Sequence, residues 1–202
     1  MGRLLAQYLG YRFLDTGAMY RAITWLAMDR GVDIQDEKTL VHLAQSCPIT
    51  VDSESNGIRL DGRKALLEEQ RTAIDQNVSL VARIPGVRKA LVKQQQALGR
   101  EGRIVMVGRD IGTVVLPQAP LKLFFQASPR ERARRRHSEL QDRGHKVDLD
   151  RVLEDVESRD RLDTQRAHSP LRPATDAHLI DTEGQSIEQV LESLLELVEG
   201  VE

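Results

Sequence analysis

Three groups of residues in this 202-residue chain combine charge with spacing that suits the grip of an anion. Gly17-Ala18-Met19-Tyr20-Arg21 opens a predicted helix directly after a predicted strand. A helix start offers free backbone amides to an anion, and Arg21 lies one turn in. Gly108-Arg109-Asp110-Ile111-Gly112-Thr113 sets a cation and a carboxylate between glycines, which let a ligand approach the backbone closely. The third group is Arg159-Asp160-Arg161-Leu162-Asp163-Thr164-Gln165-Arg166. On a helix, Arg159, Asp163 and Arg166 share a face, so two arginines could hold phosphate while the carboxylate between them holds a hydroxyl. A surface ladder of ion pairs is the competing explanation of that spacing.

These groups need elements to position them. Leu4, Leu5, Tyr8 and Leu9 repeat at helical spacing up to Gly10. Residues 11–14 read as a strand, 17–30 as a helix and 36–47 as another. Residues 49–53 and 58–61 read as a hairpin turning through Asn56-Gly57. Helices are expected over 72–84 and from Pro85 to about residue 98. Strands follow over 104–107 and 121–125. Ser128-Pro129-Arg130-Glu131 has the form of a capping box, so a helix starts there. A second charged helix is expected over about 148–160, then a short strand at Leu179-Ile180. Ser186 and Gln189 cap a last helix that carries Ile187, Val190, Leu191, Leu194 and Val198 on one face. Strands alternating with helices specify a parallel α/β sheet, whose ligands bind beyond the carboxyl ends of the strands. Asp15-Thr16-Gly17, Gly108-Arg109-Asp110 and the loop after Asp181 all fall there. Any one could be a plain turn; together they favour a site.

Composition excludes several classes. The net charge of -2 argues against a protein that wraps duplex DNA. No apolar run reaches the ~18 residues of a membrane helix. Cys47 is the only cysteine, so no intrachain disulfide or thiolate zinc site can form, and a reducing cytoplasm is the expected location. Arginine supplies 23 of the 29 basic residues, and eleven arginines lie between Arg130 and Arg172. Arginine's rigid fork suits phosphate. The same stretch carries ten acidic residues, and no aromatic residue occurs beyond Phe125 to stack bases, so RNA binding is disfavoured.

The sequence resembles the bacterial cytidylate kinases. The resemblance is carried by Leu14-Asp15-Thr16-Gly17-Ala18-Met19-Tyr20-Arg21-Ala22, by Gly108-Arg109-Asp110-Ile111-Gly112-Thr113-Val114-Val115 and by Ala127-Ser128-Pro129-Arg130-Glu131-Arg132-Ala133. Residues 159–166, Ser169-Pro170-Leu171 and Asp181-Thr182 extend it along the whole chain in order. It implies one nucleoside monophosphate kinase domain over 1–202, with a P-loop NTPase-type parallel sheet and helices on both faces. A nucleotide-binding insert would span about 32–100 and a helical lid arm about 128–168. The implied reaction is phosphoryl transfer from ATP, with Mg²⁺, to CMP or dCMP. By the resemblance, Thr16, Tyr20 and Arg21 line the monophosphate side, and Ser79, Arg88 and Asp110 read the cytosine edge. Arg109, Arg159 and Arg166 hold phosphates as the catalytic cations, and Asp163 holds the sugar hydroxyls. Arg132, Arg135 and Arg136 lie on the arm that closes over ATP. A cytoplasmic monomer without nucleic-acid or membrane partners is expected.

The family also carries a loop G-x-x-x-x-G-K-[ST] between its first strand and first helix, which cradles the ATP phosphates. This sequence has no such run and no lysine before Lys38. Met1-Gly2-Arg3-Leu4-Leu5 aligns with the helix after the loop, so the first strand is missing from the sequence too. The expectation is that codons for both lie upstream in frame. The alternative is a non-catalytic CMP-binding protein.

Overall fold

Strand β1 (Arg12–Asp15) pairs in parallel with β5 (Ile104–Val107), in the register Arg12 to Ile104 through Asp15 to Val107. A computed structural model describes residues 1–52, 57–65, 67–164 and 171–200, with the side chains of Arg159, Leu162 and Asp163 outside that description. The chain divides into two compact units, Gly2–Gly108 and Arg109–Glu202.

In the first unit, α1 (Gly2–Leu9) turns at Gly10 into β1, and α2 (Thr16–Asp29) follows at once. Helix α2 is buried on nearly every side: Met19, Ala22, Ile23, Thr24, Trp25, Leu26 and Ala27 are all buried. The Thr24 hydroxyl is accommodated there by donating to the Tyr20 carbonyl, 2.9 Å away. Around α2 pack α3 (Glu37–Ser46), α4 (Arg71–Val81) and α5 (Pro85–Arg100). Leu40, Leu43, Ile74, Val87 and Leu91 supply their core faces. The segment expected as one helix over 72–84 ends at Val81, because Pro85 starts α5 and biases the residue before it, Ile84, to extended backbone. Gln94 secures the corner. Its side chain accepts from the Ile49 amide at 2.9 Å and donates to the Ala44 carbonyl at 2.9 Å.

The expected hairpin forms from β2 (Ile49–Val51) and β3 (Ile58–Leu60), and Asn56 of its turn lies outside the described residues. A third strand, β4 (Arg63–Lys64), was not expected. It follows Asp61-Gly62, both at positive φ (50° and 75°), the backbone of a tight two-residue hairpin turn.

The second unit begins with Asp110 and a single π-helical turn, Ile111–Val115. Strand β6 (Leu123–Gln126) pairs in parallel with β7 (His178–Asp181), two residues later than expected. Two charged helices lie between them in sequence, α6 (Pro129–Asp142) and α7 (Leu149–Thr164). Helix α7 runs further than expected, and α6 buries only Ala133. Helix α7 buries Val152, and polar ties join this region as well. Arg132 and Asp160 link the two helices, and His137 Nε2 sits 3.0 Å from the Val147 carbonyl. Helix α8 (Ile187–Glu199) starts at the expected Ser186 capping box, and Val190 and Leu194 face the interior. Ile187, in the first turn beside the cap, is exposed.

Candidate functional site

Asp15 ends β1 and caps α2. Its Oδ1 accepts from the Gly17 amide at 2.9 Å, and its Oδ2 accepts from Arg21 Nη2 at 2.7 Å. One carboxylate thereby fixes both the helix start and the guanidinium one turn in. Gly17 leaves the space this needs, since a Cβ there would lie 3.0 Å from Asp15 Oδ1 and 3.5 Å from Arg21 Nη1. Thr16 is buried, and its hydroxyl donates to the Val107 carbonyl at 3.0 Å, tying α2 to the carboxyl end of β5. Arg88, from the first turns of α5, lies over the Tyr20 ring with its guanidinium carbon 5.8 Å from the centroid. Thr16, Tyr20, Arg21 and Arg88 thus gather where β1 meets α2. The outcome is two guanidinium groups, one of them paired with Asp15, beside the amides of a helix N-terminus, an arrangement that can take a phosphate. Ser79 is exposed near the end of α4.

In the second unit, Asp110 is buried, and its carbonyl accepts from the amides of Val114 at 2.9 Å and Val115 at 3.2 Å. Arg109, exposed beside it, reaches close enough to Asp160 to favour that carboxylate's charged form. An open cleft of about 700 Å³ lies beyond the carboxyl ends of β6 and β7, lined by residues including Phe124, Gln126, Arg132, Asp160, Thr164 and Glu183. Arg132 meets Asp160 through both guanidinium nitrogens, one at 2.9 Å. Hydrogen bonding to Arg132, opposed by burial, holds the Asp160 carboxyl below its ordinary range and raises Arg132.

The family model for cytidylate kinase matches residues 1–200. A cytidylate kinase of Pelotomaculum thermopropionicum is 44% identical over 198 residues, covering 96% of this chain and 88% of the relative. One from Geobacillus kaustophilus is 44% identical over 200 residues, covering 98% and 89%. The chain belongs to the cytidylate kinase family. A bifunctional pantoate ligase/cytidylate kinase of Synechococcus sp. (strain JA-3-3Ab) is 45% identical over 202 residues, where this chain covers 37% of the larger protein.

As a cytidylate kinase family member, the chain shows its predicted arm arginines in three different settings. Arg132 lines the cleft. Arg135 is engaged with the end of β7: it donates to Thr182 Oγ1 at 3.0 Å and to the Thr182 carbonyl, and its Nε donates to Glu131 at 2.8 Å. Arg136 pairs with Glu139 along α6 at 3.2 Å. The side chains of Arg159 and Asp163, and the whole of Arg166, lie outside the described residues.

The Ser128 capping box is also corrected. Ser128 Oγ does accept from the Glu131 amide at 3.1 Å. The reciprocal contact, however, comes from Glu183, which accepts from the Ser128 amide at 2.7 Å and from its hydroxyl at 2.9 Å. Glu131 instead meets Arg134 and Arg135, whose hydrogen bonds and charge pull its carboxyl down to about 2.

Asp15 and Asp160 fall inside candidate motifs of the sequence, but neither of them, nor Glu183, had a predicted role of its own. Asp15 had a readable signal, an aspartate two residues before a glycine at a strand-to-helix junction. The roles of Asp160 and Glu183 depend on partners 28 and 55 residues away. Among the described residues no three metal-ligating side chains cluster, so no protein cage for Mg²⁺ is assigned. Cys47 is buried, and burial pushes its thiol up, away from a nucleophile's range.

Proposed function

We propose that this protein transfers the terminal phosphoryl group of ATP to CMP or dCMP, giving CDP or dCDP and ADP. The observation that carries the reading is the match to the cytidylate kinase family over residues 1–200, which takes in every motif quoted above. The Asp15-held Arg21 supports a monophosphate site at the start of α2, and Arg88 over the Tyr20 ring supports a base-reading side next to it.

An oxygen of the CMP phosphate attacks the γ-phosphorus of ATP, and the bond to the ADP oxygen breaks. The nucleophile is already ionised near neutral pH, so no serine, cysteine or histidine need activate it. The obstacle is the approach of one anion to another, and catalysis is positioning plus charge stabilisation. Arg21, with Thr16 and Tyr20 beside it, orients the acceptor phosphate. Arg109, Arg159 and Arg166 neutralise charge around the transferring group, and Asp163 holds the sugar hydroxyls. Ser79, Arg88 and Asp110 supply the donors and acceptors that match cytosine; the wrong base would leave some of them unpaired. Arg132 serves ATP from the cleft, with Arg135 and Arg136 behind it. Mg²⁺ arrives with ATP and offsets phosphate charge.

The residues about 32–100 act as the nucleotide-binding insert and those about 128–168 as the lid arm of one kinase domain. The finer fold is a P-loop NTPase-type parallel sheet with helices on both faces. In support, β1 pairs in parallel with β5, and β6 in parallel with β7. No helix among the described residues is long and apolar enough to cross a membrane. The resemblance to the family is what supports the reading of a cytoplasmic monomer acting on free nucleotides.

Thermal melting with CMP and with UMP at equal concentration tests the base assignment. CMP should raise Tm more; equal shifts would remove Ser79, Arg88 and Asp110 from that role.

A further inference from the structure

Lys122 has a side chain only 7% exposed, yet it carries a charge. It sits just before β6, and its carbonyl accepts from the His178 amide at 2.8 Å, one step beyond the β6–β7 ladder. Its ammonium pairs with Asp176, in the segment that leads into β7. Its aliphatic stem lies against Gly112. A Cβ on Gly112 would fall 3.2 Å from Lys122 Cδ and 3.5 Å from both Lys122 Cγ and Ala174 Cβ. An apolar side chain would fill this slot without the cost of desolvating an ammonium. Asp176 is the group that makes a buried lysine tolerable, and it ties the end of a stem that lies against the π-helical turn.

That turn is anchored at Asp110. Two of its amides, those of Val114 and Val115, end on the Asp110 carbonyl. A shift of Gly112 is therefore passed to Asp110 within two residues. Loss of the Lys122–Asp176 tie would free the stem to bend, and the turn would lose one wall.

We propose that Lys122 is a positioning residue, whose buried stem, tied by Asp176, holds the turn 111–115 and through it sets the aim of Asp110 at cytosine. The second half of this inference rests on the function proposed above. In this role Lys122 acts through Asp110 and not on the nucleotide itself.

The test uses two mild variants of the full protein. Asp176→Asn changes an exposed carboxylate and should leave the fold intact, and Lys122→Met keeps the stem while removing the charge. Asp176→Glu serves as the rescue. Amide hydrogen exchange reads the turn directly, without any nucleotide. Val114 and Val115 should exchange faster in Asp176→Asn and Lys122→Met than in the wild type, and near wild-type rates in Asp176→Glu. Titration calorimetry reads the consequence. The preference for CMP over UMP should fall by roughly fivefold, the effect of misaligning one hydrogen bond of ordinary strength. A purely structural lysine would lower Tm and leave this ratio unchanged. Unchanged exchange at Val114 and Val115 overturns the proposal, as does faster exchange with an unchanged ratio. A wild-type protein that binds CMP and UMP equally would overturn the base-reading function instead, and the exchange rates would still decide whether the tie orders the turn.

Discussion

A carboxylate that accepts from two hydroxyls discriminates by how many hydroxyls the ligand has. In the proposed role, Asp163 meets both sugar hydroxyls of CMP and only one of dCMP. Asp163→Ala should therefore weaken CMP by about 1–3 kcal/mol and dCMP by less. Binding measured for the two nucleotides side by side checks this, and an equal loss would make Asp163 a structural ion-pair residue. Glu131 gives a second residue-level prediction. Arg134 and Arg135 lower its carboxyl from 4.5 in the unfolded chain to about 2 in the folded one. A depressed carboxylate stabilises the fold above its unfolded value, and that contribution disappears as pH falls through the folded value. The Tm deficit of Glu131→Gln should then be constant above about pH 5, shrink from about pH 4.5 downwards and vanish near pH 2. A deficit that does not change over this range would show that Glu131 acts by packing alone.

Elements meet where side chains are small enough to allow it. Helix α5 begins against α3, and a Cβ on Gly86 would lie 2.5 Å from Val41 Cγ2 and 3.0 Å from its Cγ1. Gly86→Ala should destabilise the protein by about 1–3 kcal/mol, the usual cost of overpacking. Val41→Ala in the same chain should recover part of that loss, because it vacates the colliding methyls. Urea unfolding of the two single variants and the double variant measures the coupling; simple additivity would contradict the packing account. Local signals made many elements readable in advance. Apolar runs marked β5, Pro85 marked the start of α5, and Ser186 with Gln189 marked α8. Strand β4 was not readable by pattern, since Arg63 and Lys64 are both exposed and carry no alternation. Asp61-Gly62 was its one signal. The π-helical turn at Ile111–Val115 has no propensity signature, and its form depends on two amides sharing the Asp110 carbonyl. The candidate site divides in the same way. Arg21 and Arg109 were readable from motifs. The capture of Arg135 by Thr182, the pairing of Arg132 with Asp160 and the Glu183 contact to Ser128 were not, because each joins residues far apart in sequence.

At the scale of the whole molecule, the proposed chemistry rests on arginines. Arg21 and Arg88 lie in the first compact unit, and Arg109 and Arg132 in the second. Both parallel pairs have their strands' carboxyl ends beside these cations, as open α/β sheets require of a ligand site. The account stands on one reaction, and the most direct measurement is nucleotide-dependent ADP formation. The protein is expressed with any in-frame codons that precede Met1 and is assayed with ATP and Mg²⁺, with CMP, dCMP, UMP or no acceptor. The account predicts ADP formation that requires an acceptor, is faster with CMP than with UMP, and yields one CDP for each ADP. Folded protein that binds CMP and ATP yet forms no CDP would contradict it.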